Sequence, residues 1–303
     1  VSEVDESDGS IALYRPKVAV VNNIALDHKS MDELRGLFAD FAAKAGTVVL
    51  NLDNAETAAL SPGVEKGRLV TFSQGEADAN LVAGALTLKP AGIDFEVRDR
   101  RSGESARVNL QVPGLHNAAN ALAAIAAAGA LGVGLAQAAS ALSAFTGVRR
   151  RMDVVGEAAG MTVIDDFAHN PDKIAATLDT LHAFPGRLLL MFQPHGYGPL
   201  KLMRDAFIET FTEKMAAEDV LLMPEPVYFG GTADRSVSSS DITEGVARAG
   251  RNAAALPDRP ACGDRLIELA RPGDRIVVMG ARDDSLSVFA AELLDRLKAR
   301  AAA

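Results

Sequence analysis

From residue 161 onward, short apolar runs alternate with longer stretches of helical periodicity, and this is the feature that most narrows the fold. The runs at 161–166, 186–192, 218–223 and 274–280 read as buried strands. Between and after them, 171–183, 200–213, 239–249, 259–270 and 284–298 read as helices. Regular alternation of this kind builds an α/β domain around a doubly wound, mostly parallel sheet. Ligands of such sheets gather at the carboxyl ends of the strands.

The first half is organised differently. "KVAVVNNI" (17–24) and "TVVLNLDN" (47–54) read as strands, and a helix over 30–46 lies between them, opened by Ser30 and stopped by Gly46. Residues 68 to 112 break into short segments separated by glycine, proline and charge, the pattern of a small meander. An alanine-rich helix follows at "PGLHNAANALAAIAAAGALGVG", then a second over 135–144. "FTGVRRRMD" (145–153) ends the helical pattern with a glycine and three consecutive arginines, so the domain boundary is placed there, giving parts 1–149 and 150–303. A chain of 303 residues is long enough for two such domains, each with its own core.

Composition removes several function classes. The formal charge of −9 argues against a phosphate-backbone binder, so no nucleic-acid partner is expected. One cysteine, Cys262, excludes an internal disulfide framework and a cysteine-cluster metal site. No run of 18 apolar residues occurs, so no membrane insertion is expected, and the start "VSEVDESDGS" lacks the regions of a signal peptide. The cytoplasm is the expected compartment.

Candidate chemistry collects in loops. "VIDDFAHNPDKI" (163–174) ends a strand in two carboxylates and opens a helix at Asn170-Pro171, placing Asp165, Asp166 and His169 on a strand-to-helix loop. Alone, it is equally a solvated acidic turn with a capping asparagine. Of five histidines, His28, His116, His169 and His195 stand in polar, loop-like contexts, whereas His182 reads as a packed or exposed helix residue. Glu3, Asp5, Glu6 and Asp8 are hard oxygen ligands of the kind Mg²⁺ takes, or else a solvated terminus. Arg149, Arg150 and Arg151 offer planar forks for phosphate oxygens, or else an exposed basic linker. Carboxylates for metal and arginines for phosphate together suggest phosphoryl chemistry. No GxxxxGK[ST] phosphate loop, no GxGxxG and no Gx-Ser-xG elbow is present.

In order along the chain, "DESDGS", "AVVNNIALDH", "VPGLHNAANALAAIAAA", "GVRRRMD", "VIDDFAHNP" and "FQPHGY" resemble the ATP-dependent Mur ligases of peptidoglycan synthesis. The alanine-adding and muropeptide-recycling branches of that family are the most similar. The resemblance implies a partial central ATPase domain over 1–149 and a complete Rossmann-like C-terminal domain over 150–303. A UDP-binding domain and the phosphate loop are then expected upstream of Val1. It also implies ATP and Mg²⁺ as cofactors, UDP-N-acetylmuramate and an amino acid or short peptide as substrates, and an acyl-phosphate intermediate.

Roles follow residue by residue from that resemblance. Glu6 and His28 match ligands of two Mg²⁺ ions, and Asn117 and Asn120 match a pair that meets adenine. Arg151 matches an arginine that reaches the ATP phosphates. Asp166 matches an aspartate that binds the ribose hydroxyls, and His169 is expected toward the amine donor. Two departures stand out. No lysine occupies "SMDELRGLFADF", where many members carry a carbamylated one. In "QPHGYGPLK", Gly196 and Pro199 replace two arginines of the alanine-adding branch, leaving Lys201 as a possible substitute or the pocket open to a longer peptide. A relative joining a different acid and amine, or a non-catalytic binding protein should the gene lack a phosphate loop, are the alternatives.

Overall fold

Two sheets organise the chain, one in each of the units into which it divides, Val1–Thr146 and Gly147–Ala303. The computed structural model describes residues 1–26, 29–75, 78–227 and 234–302.

In the first unit, β1 (Val18–Val21), β2 (Thr47–Asn51), β3 (Leu69–Ser73) and β4 (Leu81–Ala83) run parallel. The sheet then turns antiparallel through β5 (Thr87–Lys89), β6 (Gly92–Asp99) and β7 (Ser105–Leu110). The meander expected over 68–112 therefore begins one strand later than its composition suggests. In β3, "LVTFS", four of the five residues are buried, the pattern of a strand inside a parallel sheet covered on both faces.

Helix α1 (Met31–Lys44) starts in a capping box, with Ser30 and Glu33 satisfying each other's backbone donors. A short α2 (Ala55–Ala58) follows β2. The alanine-rich α3 (Leu115–Ala130) buries Ala118, Ala119, Ala121, Leu122, Ala123, Ile125 and Ala126. It crosses β1 to β4, and its small side chains let the helix lie close to the strands. Helix α4 (Leu135–Leu142) closes the unit against β7.

The second unit is a six-stranded sheet of β8 (Asp153–Ala158), β9 (Met161–Asp166), β10 (Leu188–Gln193), β11 (Val220–Pro224), β12 (Asn252–Leu256) and β13 (Arg275–Gly280), in spatial order β12-β11-β10-β13-β9-β8. All neighbours are parallel except β8, which pairs antiparallel with β9 and carries a bulge between Val154 and Gly156. Helices α5 (Pro171–His182), α7 (Arg204–Lys214) and α8 (Ser239–Arg248) cover one face, where Ile174, Leu178, Phe207, Phe211, Ile242 and Val246 are fully or almost fully buried. Helices α9 (Arg259–Leu269) and α10 (Ser285–Ala302) cover the other, through Cys262, Leu266, Leu286, Ala290, Leu293 and Leu297.

The helix expected over 200–213 is two helices, because Met203 leaves helical geometry (φ −104°, ψ 16°) between α6 (Tyr197–Leu202) and α7. The strand pattern missed β8 and β12, both edge strands. Exposure on an edge relaxes the demand for a continuous apolar run, and "NAAAL" and "DVVGEA" lack one.

Candidate functional site

In the second unit the candidate residues sit at the carboxyl end of β9, and the sequence reading needs one correction. Asp165 and Asp166 are not on a loop: they are the last two residues of β9, buried to 2% and 5% exposure. Strand alternation sends them to opposite faces. Asp165 accepts from Ser287 Oγ of α10 at 2.6 Å. Asp166 accepts from Thr177 Oγ1 of α5 at 3.0 Å and from the Ala168 backbone N–H at 2.9 Å. Burial pushes the Asp166 carboxyl above the usual carboxylate range, opposed by the hydrogen bonds from Thr177 and Ala168, the charge of Arg151 and the Met152 backbone.

Helix α5 then opens as the sequence implies: the Asn170 side chain accepts from Lys173 N at 3.0 Å, with Pro171 in the first turn. His169 lies between strand and helix. Its Nδ1 is 2.9 Å from the Phe167 carbonyl oxygen, which accepts only from an N–H, so Nδ1 carries a proton. Its Nε2 is then left to face Lys173 Nζ at 3.4 Å. The buried His195, just past β10, meets the His169 ring edge to face at 5.2 Å between centroids. His182, on α5, places Nε2 2.9 Å from Asp219 Oδ2, a structural contact.

The three arginines divide. Arg149 and Arg151 are exposed, whereas Arg150 is buried at 8%. Both the Arg150 and Arg151 guanidinium carbons stand over Phe167, at 5.0 and 4.9 Å from the ring centroid. Lys201 lies on α6 and pairs with Asp234 at 2.5 Å, with about half of each side chain or more exposed. That partner holds the Asp234 carboxyl down at about 2, helped by Ser236.

A second cluster at the same edge had no signal in the sequence. Asp283 accepts from Gln193 Nε2 at 2.9 Å, from Ser285 Oγ at 2.5 Å and from Arg259 Nη2, while Arg259 Nε donates to Gln193 Oε1 at 2.9 Å. Burial alone would raise the Asp283 carboxyl, but Ser285, Gln193 and Arg259 outweigh it and hold it at about 2. Gln193 and Arg259 line one side of an open cleft of about 560 Å³. Pro224, Pro257 and Phe289 form part of its apolar wall.

In the first unit, three asparagines join end to end. Asn22 Nδ2, just past β1, donates to Asn120 Oδ1 at 2.5 Å. Asn120 Nδ2 donates to Asn117 Oδ1 at 3.3 Å, and Asn117 Nδ2 to the Pro113 carbonyl at 2.7 Å. The buried Asn22 Oδ1 has no partner among the described residues. An orphaned acceptor at the end of an amide chain suits a flat heterocycle edge bearing donors and acceptors, and Asn22 was not singled out from sequence.

Glu6 lies in a turn whose other acids are engaged: Asp5 accepts from Ser7 N at 2.8 Å and Asp8 from Ser10 N at 2.7 Å. Glu6 itself is half-buried. His28, expected as its counterpart, lies outside the described residues. Among the described residues no group of three or more His, Cys, Asp or Glu side chains is arranged for a metal. No helix among them is long and apolar enough to cross a membrane.

A parallel-rich sheet followed by a doubly wound sheet, with polar side chains gathered at strand ends, defines a two-unit α/β protein. Residues 1–128 match the Mur ligase middle domain and residues 150–282 the glutamate ligase domain of Mur ligases, and the chain belongs to the Mur ligase family. It is 38% identical to a UDP-N-acetylmuramate–L-alanine ligase of Cereibacter sphaeroides, over 100% of this chain and 65% of that protein. A Streptomyces coelicolor protein of the same name is 35% identical, over 93% and 62%. The chain thus spans somewhat under two thirds of the length of these relatives. Among solved structures, the UDP-N-acetylmuramate-alanine ligase of Thermotoga maritima superposes with a TM-score of 0.73 at 23% identity, covering 98% of this chain and 63% of the other, a likeness of fold.

Proposed function

We propose that this chain is part of an ATP-dependent, ADP-forming amide ligase that joins an amino acid or short peptide to UDP-N-acetylmuramate in the cytoplasm, in peptidoglycan synthesis or recycling. The observation that carries the reading is the identity of 35–38% to alanine ligases of this acid across nearly the whole chain. In this reading ATP phosphorylates the substrate carboxylate, and the amine then displaces phosphate. ATP serves to turn a poor leaving group into a good one.

The roles divide at 149/150. In the first part, Asn117 and Asn120 meet adenine, extended by the orphaned Asn22 acceptor, and Glu6 and His28 hold Mg²⁺, which would offset phosphate charge. In the second, Arg151 takes phosphate oxygens and Asp166 the ribose hydroxyls, with His169 toward the amine. Lys201 takes a donor carboxylate. Its exposed pair with Asp234 is worth at most about 1 kcal/mol, so a substrate anion can displace it.

A second reading, a different acid or amine, draws its support from Gly196 and Pro199, which place no cation beside His195. The test is ADP release by the complete gene product with ATP, Mg²⁺ and UDP-N-acetylmuramate, adding L-alanine or an alanyl-glutamyl-diaminopimelate tripeptide. Turnover with either supports the proposal and names the donor. No ADP release with both would overturn it in favour of the second reading.

A further inference from the structure

Arg150 is the middle one of three arginines, yet it makes the contacts of a core residue. Its Nη2 donates to the Gly280 carbonyl at 2.9 Å and its Nη1 to Asp284 Oδ1 at 3.2 Å, while Nε lies 3.5 Å from Asp165 Oδ2. These partners come from the end of β13, the loop before α10 and the end of β9; the first two accept hydrogen bonds, and Asp165 meets Nε as an ion pair without a hydrogen bond. Gly280 itself has a positive φ of 154°, and a Cβ there would come within 2.9 Å of the Gln193 carbonyl oxygen, so this strand end has no room for a side chain.

The backbone is held as firmly. Arg150 (φ 59°) and Met152 (φ 54°) both adopt the left-handed conformation, which non-glycine residues keep only where their surroundings over-determine it. The Arg150 carbonyl accepts from Phe167 N at 2.7 Å, and the Met152 backbone dipole helps to oppose the upward shift of the buried Asp166 carboxyl. Arg151, between them, has its guanidinium over Phe167. The 150–152 turn and the 165–167 strand end are therefore laced together at backbone, carboxylate and ring.

We infer that Arg150 is a positioning residue: its buried fork pins the 150–152 turn to the ends of β9 and β13, so that Arg151 and Asp166 are presented to the nucleotide in one fixed arrangement. The inference rests on the proposed ATP-dependent reading and adds a residue to it. A lysine cannot reproduce the fork, because a single ammonium on a flexible stem does not reach two acceptors and a carboxylate on three separate elements.

A double-mutant cycle on the KM for ATP in the complete gene product tests this. Arg151→Met is expected to raise that KM about tenfold, the scale of one charge-assisted hydrogen bond. Arg150→Met is expected to raise it several-fold with the enzyme still folded, and to add nothing in the Arg151→Met background, because its effect passes through Arg151 and its neighbour. Should Arg150→Met fail to fold, Arg150→Lys, which keeps the charge and loses the fork, is read in the same cycle. Effects that multiply in the double variant would show a merely structural role and overturn the inference, as would an unchanged KM in the folded Arg150 variant. An unchanged KM in Arg151→Met alone would instead remove the phosphate role of Arg151, and the inference with it, while ADP release itself continues to support the ligase reading.

Discussion

Asp283→Asn isolates the energetic content of the network at the ends of β10 and β13. The Asp283 carboxyl is held from its ordinary value of 3.8 down to about 2, and with 15% of the side chain exposed solvent screening takes part of the effect. At about 1.4 kcal/mol per unit, that depression corresponds to about 2 kcal/mol of stability at neutral pH. The sign follows from the direction of the shift. A depressed carboxyl stabilises the fold fully above its unfolded pKa, and the contribution is lost as pH falls toward 2.

The substitution is therefore expected to cost about 2 kcal/mol at pH 7, with the cost shrinking below pH 4. Leaving Arg259 without its carboxylate works in the same direction, since its guanidinium is 20% exposed. The assay is urea unfolding from pH 7 to pH 3, followed by hydrogen exchange of the β10 and β13 peptides so that this unit is read by itself. A cost below about 0.5 kcal/mol at pH 7, or one that stays constant into acid, would refute the assignment of the charge to stability.

Three further outcomes are expected. Asn170→Ala removes the side-chain cap of α5 and should cost about 1 kcal/mol, visible as faster exchange in the first turn; unchanged protection there would contradict the capping role. Asp166→Asn relieves a buried carboxyl whose pKa is raised by desolvation, so the second unit should gain stability at neutral pH and lose that gain in acid, while the KM for ATP rises about tenfold. A stability scan showing no pH-dependent difference from the parent would speak against it. Lys201→Gln breaks an exposed pair and should leave stability within about 0.5 kcal/mol, while raising the KM for the amine donor; an unaltered donor KM would remove Lys201 from the site.

Local signals were legible and non-local ones were not. Asn170-Pro171 announces α5 and the mainly apolar run 161–164 marks β9, because caps and strand runs are written in adjacent positions, but the two aspartates that end the strand read as loop because they break the apolar run. The edge strands β8 and β12 lacked a run to read. The candidate site was legible as residue types through the family resemblance, but its geometry was not. Nothing near Arg150 in sequence shows that its partners lie 130 and 134 residues away, nor that it, rather than Arg149 or Arg151, is the buried one. Asp283, Gln193 and Arg259 likewise meet only when three separate strand-to-helix connections converge. His28 lies outside the described residues, so its placement adds nothing to this comparison.

The adjacent carboxylates of "DDFAHNP" show how such a pattern divides. In a strand covered on both faces, neighbouring side chains enter different layers. Asp165 enters the layer of α10, where Ser287 donates to it and Arg150 lies 3.5 Å away. Asp166 enters the layer of α5, where Thr177 donates to it and the charge of Arg151 acts on it. Each aspartate thus feels a different arginine of the same triplet, Asp165 through an ion pair and Asp166 through the field of Arg151. The first aspartate and second arginine form a structural pair, and the second aspartate and third arginine are the two residues proposed to meet nucleotide. Exchanging the roles would require reversing the strand's alternation, so a one-residue deletion in 161–164 should disable nucleotide use far more than any single substitution at those apolar positions.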